Sequence, residues 1–275
     1  MPRKQSKIQS SAIYQDLAPI LDQLEPRLLS MQREALTISG KPDVGSQASV
    51  VTDADIFSDE FLRRELKAQF PDFGFLTEEG NNALVRNGYN WIIDPIDGTA
   101  NYANLLDTWG VSIGLWGPEG GVFGCIAIPG RRTRIWGGVG EGLQRDGQVL
   151  KYVSQPVSPK KLITIAPIWQ NPAECGRVHQ ALADSVGHSR DLGCSSWQSY
   201  LVLAGQSDAV VHYRLSIWDI GAAVVLAQEL GLAMQYIGTE PDLTDPEIAK
   251  KPITLVFGHP ELVPKIARAL TSQTI

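Results

Sequence analysis

The chain has 275 residues, with 24 lysine and arginine side chains against 30 aspartate and glutamate side chains, which gives a formal net charge of −6. A chain of this length buries about three quarters of its unfolded surface, so it can build a core without cross-links or zinc. The acidic balance disfavours a nucleic-acid polymer or an anionic membrane as main partner, because both bind clustered basic side chains. The composition favours a small ligand, delivered with cations.

The three cysteines, Cys125, Cys175 and Cys194, are odd in number and share no close spacing, which disfavours a disulfide framework and a thiolate metal site. The basic start, residues 1–7, runs into polar residues before any apolar stretch of the kind that a secretory signal requires. No run of about 18 apolar residues predicts a membrane span. We therefore predict a protein of a reducing compartment, the cytoplasm.

The first predicted element is a helix that begins near Ile13, because apolar residues recur three or four positions apart from there onward. Pro19 and Pro26 are expected to kink or split this helix. A polar segment with Gly and Pro, residues 41–49, predicts a loop. A second helix is predicted from about Asp55, and a proline closes it.

Beyond the second helix the apolar segments shorten to strand length and are bounded by Gly, Pro and Asn, as strands are. The predicted strands are 73–76, 91–93, 111–116, 122–128, 133–136, 162–166, 209–213, 233–237 and 253–257. The predicted later helices are 172–186, 196–204, 217–230 and 260–270. This mixture predicts a layered α/β or α+β architecture. We predict a single domain, 1–275, with halves of about 1–145 and 146–275.

The most informative segment is 91–101, WIIDPIDGTAN, in which a buried strand leads directly into two acids. Pro95 cannot extend a hydrogen-bond ladder, so we expect it to end the strand. The resulting turn would bring Asp94 and Asp97 to one side. The segment therefore predicts a strand that presents two carboxylates at its end.

Other residues with ligand-binding chemistry lie beside this strand end or elsewhere along the chain. Gly98 lets the backbone approach a ligand closely, and Thr99 adds a hydroxyl beside amides that can meet an anion. Asp55 and Asp219 stand at helix starts, where an acid alone is most often a cap, and Glu78 follows a strand. Acids gathered in this way repel one another unless cations lie between them. Hard divalent cations such as Mg²⁺ prefer oxygen ligands and would neutralise these acids.

Four segments form a specific pattern when taken together. They are VTDAD at 51–55, FLTEEG at 75–80, WIIDPIDGTANY at 91–102 and WDIGAA at 218–223. In these segments the chain resembles the inositol monophosphatase family of lithium-sensitive, Mg²⁺-dependent phosphatases, in the family's order and at about its separations. The resemblance covers nearly the whole chain. It implies the family's αβαβα fold and the hydrolysis of a small phosphomonoester by a metal-activated water.

The resemblance also implies two or three Mg²⁺ ions with particular ligands. A first ion would be held by Glu78, Asp94 and the carbonyl of Ile96. A second would be held by Asp94, Asp97 and Asp219. A third, weaker ion would use Glu78 and waters. Two such metals can activate a water, neutralise phosphate oxygens and stabilise the leaving alkoxide, so no side-chain nucleophile is required.

The remaining roles that the resemblance implies concern catalysis and binding. The catalytic residues would be Asp55, Thr99 and Glu78, of which Asp55 and Thr99 polarise the attacking water. The phosphate and the substrate would be bound by Asp97, Gly98, Thr99, Gly193, Arg214 and Asp219. Lys41 matches a family lysine near a mobile loop.

Two segments that face the substrate in the family depart here from its inositol-specific pattern. Cys194, Ser195 and Ser196 replace a run of smaller residues, and His212 stands where an inositol-binding glutamate is expected. Arg214 would meet a second anionic group of the substrate, or it is simply a surface charge. Inositol phosphate, sugar bisphosphate, adenosine bisphosphate and histidinol phosphate all stay open as substrates. The family commonly forms dimers, and a homodimer is one option for this chain.

Two rival interpretations have distinct signatures. The haloacid-dehalogenase class also places two acids and Gly-Thr after a strand, but its acids are two apart, in the first strand, and it forms an aspartyl-phosphate. Here Asp94 and Asp97 are three apart, a third of the way along the chain. A catalytically silent relative that binds phosphorylated ligands is disfavoured because every matching acid and the threonine are present.

Overall fold

The computed structural model describes residues 8–34, 38–40, 50–80, 82–151, 162–167, 172–186, 188–238, 240–242, 247–248 and 251–272. The helices of these residues are α1 Ser10–Arg33, α2 Asp53–Gln69, α3 Thr99–Ala103, α4 Pro172–Val186, α5 Ser195–Leu203, α6 Ile217–Leu230 and α7 Val263–Thr271. The strands are β1 Ile38–Gly40, β2 Val50–Thr52, β3 Gly74–Thr77, β4 Asn90–Asp97, β5 Gly110–Gly117, β6 Gly120–Ile128, β7 Thr133–Gly138, β8 Gly142–Arg145, β9 Gln148–Leu150, β10 Leu162–Pro167, β11 His188–Asp191, β12 Ala209–Leu215, β13 Ala233–Tyr236 and β14 Ile253–Gly258. The predicted loop 41–49, with Lys41, lies outside the described residues.

The larger sheet has seven strands in the order β3-β4-β5-β6-β7-β8-β9. Strands β3 and β4 are parallel, and each later pair is antiparallel. The sequence does not predict β8 and β9, because these short segments, GLQR and QVL, carry too few apolar residues to show a strand period.

The smaller sheet has five strands in the order β11-β10-β12-β14-β13. Strand β10 is parallel to both β11 and β12, while β14 is antiparallel to β12 and β13. The sequence does not predict β11, because its residues, HSRD, are all polar. It forms at the edge of the sheet by pairing with the apolar β10.

Three hydrophobic clusters define the layers of the molecule. Helices α1 and α2 pack on one face of the seven-stranded sheet. Helices α5 and α6 lie between that sheet and the five-stranded sheet, and α4 and α7 cover the outer face of the smaller sheet. The order of layers is αβαβα, which confirms the predicted fold class. The division into one domain with two halves stays a prediction.

Helix α1 runs through Pro19 and Pro26 without a break, so the expected split does not occur. Its stripe from Ile13 to Leu28 is fully buried, and burial of this stripe outweighs the hydrogen bonds that the two prolines cannot donate. Arg134 of β7 fixes the helix to the sheet through an ion pair of 2.6 Å with Glu25. Within the described residues, no helix combines the length and the apolar character that a membrane crossing needs.

Cys125, Cys175 and Cys194 are all free and buried. Burial raises the pKa of the Cys125 thiol to about 12 and that of Cys194 well above its usual range. Because the thiolate is the reactive form, these cysteines behave as packing residues.

Candidate active site

Strand β4 runs to Asp97, so the expectation that Pro95 ends the strand is wrong. Asp94 pairs with Ser112 of β5 and Asp97 pairs with Gly110, and the register shifts between these two pairs. Pro95 lies within this bulge, where a strand tolerates a residue that has no amide hydrogen. Two acids therefore stand at the end of a buried strand, as predicted, but a bulge rather than a turn places them there.

Asp219 joins these two acids from the other side of the site. It lies in the first turn of α6 and accepts a hydrogen bond of 2.7 Å from the amide of Ser216, so it also caps that helix. Asp94, Asp97 and Asp219 each offer an oxygen within 4.8 Å of the others. Asp94 is 1% exposed and Asp97 is 5% exposed, so most of this negative charge is shielded from water.

The carboxylates of this cluster destabilise one another when they are ionised. Burial, and after it the negative charge of Glu78, raises the pKa of Asp94 well above its usual range. Partial burial and the charges of Asp97 and Glu78 raise the pKa of Asp219 in the same way. A hard divalent cation relieves this repulsion and prefers oxygen ligands. The donor set therefore fits Mg²⁺.

Asp55 and Thr99 lie beside the cluster as a hydrogen-bonded pair. Helix α2 begins at Asp53, earlier than predicted, because the side chain of Thr52 caps it. Asp55 Oδ2 accepts bonds from the Thr52 amide at 2.8 Å and its hydroxyl at 2.6 Å. Asp55 Oδ1 accepts a bond of 2.9 Å from the Thr99 hydroxyl, which also lies 3.1 Å from the carbonyl of Ile96. Burial raises the pKa of Asp55, and the hydrogen bonds oppose this rise.

Two glycines allow the backbone to pass close to this site. Gly98 has a φ of 87°, and a Cβ at that position would lie 2.9 Å from the Cβ of Cys194. Gly193 has a φ of 68°, and a Cβ there would lie 3.1 Å from the side chain of Asn101. Asn101 in turn donates a bond of 2.7 Å to the carbonyl of Leu192. The loop after β4 and the loop before α5 are thus held together.

The start of α5 holds the carboxylate of Asp97. The Ser195 amide donates to Asp97 Oδ1 at 3.1 Å, and the Ser195 hydroxyl and the Ser196 amide donate to Oδ2. The Ser195 hydroxyl also lies 2.9 Å from the main-chain carbonyl of Asp219. Sequence reasoning does not assign Ser195 to the site. The signal that could have found it is the replacement of the family's small residues by Cys194, Ser195 and Ser196.

Glu78 follows β3 and is half-buried. It is not one of the three acids within 4.8 Å, but after burial its charge is the next cause of the raised pKa of Asp94. Arg63 of α2 supports this turn: its guanidinium donates to the Thr77 hydroxyl and lies against Gly80, where a side chain would not fit. Sequence reasoning does not identify Arg63.

The residues of β12 that sequence reasoning connects with the substrate are His212, in the middle of the strand, and Arg214, near its end. His212 is fully buried, with Nε2 at 2.9 Å from the Ser199 hydroxyl and its ring against Phe257. Burial lowers its pKa to about 3, so the ring is neutral. Arg214 is exposed and pairs with Glu174 at 3.3 Å. His212 is therefore uncharged, and the charge of Arg214 is paired with that of Glu174.

The family whose model matches this chain is one of phosphoric monoester hydrolases. The model of the inositol monophosphatase family matches residues 10–273, and the chain belongs to that family. Inositol-1-monophosphatase of Bacillus subtilis (strain 168) is 28% identical over 221 residues, which cover 78% of this chain and 82% of that protein. Histidinol-phosphatase of Chlorobaculum parvum (strain DSM 263 / NCIMB 8327) is 28% identical over 210 residues, 72% of this chain and 75% of that protein. The structure of an IMPase/NADP phosphatase complexed with Mg²⁺ and phosphate is similar with a TM-score of 0.82 and 20% identity, covering 96% of this chain and 97% of that one.

Proposed function

We propose that the chain hydrolyses a small phosphomonoester with Mg²⁺ bound at Asp94, Asp97 and Asp219. The observation that carries the proposal is the meeting of these three carboxylates within 4.8 Å, next to the hydrogen-bonded pair of Asp55 and Thr99. Hydrolysis of a phosphate ester needs a cation that neutralises phosphate charge and a polar group that orients the attacking water. The three carboxylates would supply the cation site, and the pair of Asp55 and Thr99 would orient the water.

The proposed ligands are those that the resemblance to the family implies, and the meeting of Asp94, Asp97 and Asp219 supports one of the sets. Glu78, Asp94 and the carbonyl of Ile96 would hold a first Mg²⁺. Asp94, Asp97 and Asp219 would hold a second, and Glu78 with waters would hold a third, weaker ion. When bound, these ions lower the pKa of a water and neutralise charge on the phosphate and on the leaving oxygen. Because burial, and after it the neighbouring negative charges, raises the pKa of Asp94, binding the cations would also stabilise the fold.

The chain's own residues direct the water and the phosphate. Thr99 Oγ1 accepts a hydrogen bond from the attacking water and passes its own proton to Asp55 Oδ1, 2.9 Å away. As the water oxygen bonds to phosphorus, one water proton passes to Thr99 Oγ1 while the Thr99 proton passes to Asp55 Oδ1. The ester P–O bond breaks, the leaving oxygen takes a proton from solvent water, and an alcohol and inorganic phosphate leave. The amides of Gly98 and Thr99, at the start of α3, bind phosphate oxygens.

The substrate is a small phosphorylated metabolite, and its identity depends on the region near β12. A buried, neutral His212 is not a carboxylate that could accept hydrogen bonds from sugar hydroxyls. Inositol phosphate is therefore proposed only as the default of the family. Fructose 1,6-bisphosphate, adenosine 3',5'-bisphosphate and histidinol phosphate are the alternatives.

A phosphate-release assay across these four substrates tests the proposal. We expect turnover of at least one with Mg²⁺, loss of turnover in excess EDTA, recovery on addition of Mg²⁺, and inhibition by Li⁺. The ratio of kcat/KM between substrates then selects the class. Inactivity with all four in saturating Mg²⁺ would contradict the proposal.

A search for a covalent phosphoenzyme separates this mechanism from the rival one. Attack by water predicts that no phosphorylated Asp94 accumulates during turnover, whereas a haloacid-dehalogenase mechanism requires one. Binding of phosphorylated ligands without any release of phosphate would instead indicate a silent relative. Location in the cytoplasm and assembly as a homodimer stay predictions.

A further inference from the structure

We propose that Ser195 is a positioning residue that fixes Asp97 relative to Asp219 and thereby sets the affinity of the site for a divalent cation. The inference rests on the proposed function in one respect, namely that Asp97 and Asp219 are metal ligands. It concerns a side chain that the sequence comparison with the family assigns no role, since the family has a small residue there.

The position of the Ser195 hydroxyl is the first argument. Its oxygen lies 2.5 Å from Asp97 Oδ2 and 2.9 Å from the main-chain carbonyl of Asp219. Asp97 ends β4 of the seven-stranded sheet, while Asp219 begins α6, which follows β12 of the five-stranded sheet. One hydroxyl therefore bridges two carboxylate residues that the two sheets bring in separately.

The number of protons on this hydroxyl is the second argument. A serine donates one hydrogen, and here two acceptors lie within reach of it. The bond to the carboxylate of Asp97 is charge-assisted and is the stronger of the two. The carbonyl of Asp219 is the second, weaker acceptor. The hydroxyl therefore holds the carboxylate of Asp97 by donation and lies against the carbonyl of Asp219.

The surroundings of Ser195 make its contribution hard to replace. The side chain is 4% exposed, so bulk water does not take over its hydrogen bonds when the hydroxyl is removed. The amides of Ser195 and Ser196 still donate to Asp97 in an alanine variant, because they belong to the backbone. A substitution therefore isolates the hydroxyl from the rest of the α5 contacts.

The test is calorimetric titration of the full chain with MgCl₂ in the absence of substrate. We expect Ser195→Ala to raise the Mg²⁺ dissociation constant about tenfold or more, as the loss of an outer hydrogen bond to a metal ligand does. The matched control is Ser199→Ala, on the same helix, whose buried hydroxyl contacts His212 instead of an acid of the site. We expect that variant to melt at a lower temperature but to bind Mg²⁺ within about twofold of the wild type.

The outcomes separate the two proposals. Wild-type Mg²⁺ affinity in Ser195→Ala, or an equal loss in Ser199→Ala, overturns the role of Ser195 alone. Failure of the wild type to bind Mg²⁺ overturns the proposed function, and this inference with it. If the alanine variant does not fold, Ser195→Cys carries the same expectation, because a thiol of similar size is a weak donor. A cysteine variant with wild-type affinity would likewise contradict the inference.

Discussion

The ends of β4 and β12 both carry residues that sequence reasoning connects with the binding of the substrate, but the two strand ends are built in different ways. At the end of β4, both carboxylate oxygens of Asp97 accept hydrogen bonds from the start of α5. At the end of β12, His212 is buried among apolar neighbours and Arg214 turns outward to Glu174. One strand end is an ordered set of oxygen donors, and the other is part of the core followed by an exposed ion pair.

This difference separates the chemistry of the site from the choice of substrate. The reaction needs oxygens at fixed places, so each acid near β4 is held by backbone amides or by a hydroxyl. The polar contacts that bind the alcohol part of a phosphate ester differ from one substrate to another. The residues of the β12 region can therefore differ without changing the reaction. Under the proposed function, a histidine at position 212 in place of a carboxylate would remove one contact with a sugar hydroxyl and leave the acidic cluster unchanged.

The largest expected effect is the loss of the β4 acids. Asp94→Asn should lower kcat by about 1,000-fold, equivalent to about 4 kcal/mol, because it removes a ligand proposed to be shared by two ions. The asparagine oxygen can still accept the 3.1 Å bond from the Ile96 amide, so the fold should persist. The melting temperature without Mg²⁺ should stay the same or rise, since one repelling charge is gone.

The control for this variant is Asp53→Asn, an exposed acid in the first turn of α2. We expect it to keep phosphate release within about twofold of the wild type. Normal turnover by Asp94→Asn in the same assay would show that the metal ligands are assigned wrongly.

The second prediction concerns the backbone at the end of β4. Gly98→Ala should destabilise the fold by about 3 kcal/mol, because it combines a φ of 87° with a Cβ placed 2.9 Å from that of Cys194. The control is Gly120→Ala, which has a φ of 117° but nothing within 4 Å of the added Cβ. That variant should lose only about 1 kcal/mol, from backbone strain alone. Equal losses in urea unfolding would show that the contact with Cys194 costs nothing.

The third prediction tests whether the end of β12 contributes stability in place of charge. His212 has a folded pKa of about 3 against 6.5 when unfolded, so below pH 6.5 the unfolded chain binds a proton that the folded chain does not. The stability from the neutral ring is present above that pH and is lost as the pH falls. Between pH 7.5 and 5 the wild type should lose about 2 kcal/mol relative to His212→Gln.

Urea unfolding of both proteins at the two pH values measures this difference. The carboxylates with raised pKa act in the opposite direction, but they are common to both proteins and cancel in the comparison. The same pH dependence in both proteins would mean that the histidine ring is charged when folded.

The acids of the site could be predicted from the sequence, while several of their supports could not. Asp94 and Asp97 follow from the apolar strand that ends in them, whereas the resemblance to the family is what assigns Asp219, at a helix start, to the same site. The bulge at Pro95 depends on the register between β4 and β5, and the local sequence of β4 does not predict that register. The bridge formed by Ser195 depends on the meeting of β4, α5 and α6, so it becomes visible only in three dimensions.

The smallest expected effect is the removal of Arg214. Its ion pair with Glu174 is 46% exposed on the arginine side, and a pair of this kind contributes about 1 kcal/mol or less. Arg214→Ala should therefore leave kcat/KM for inositol phosphate within about threefold of the wild type.

The two bisphosphates decide between the substrate classes that the sequence leaves open. A fall of about tenfold or more for a bisphosphate alone would show that Arg214 leaves Glu174 to bind a second phosphate. An equal, small change in kcat/KM for all substrates would show that Arg214 does not bind the substrate. Charged groups at the end of β4 would then act on the substrate, and those at the end of β12 would not.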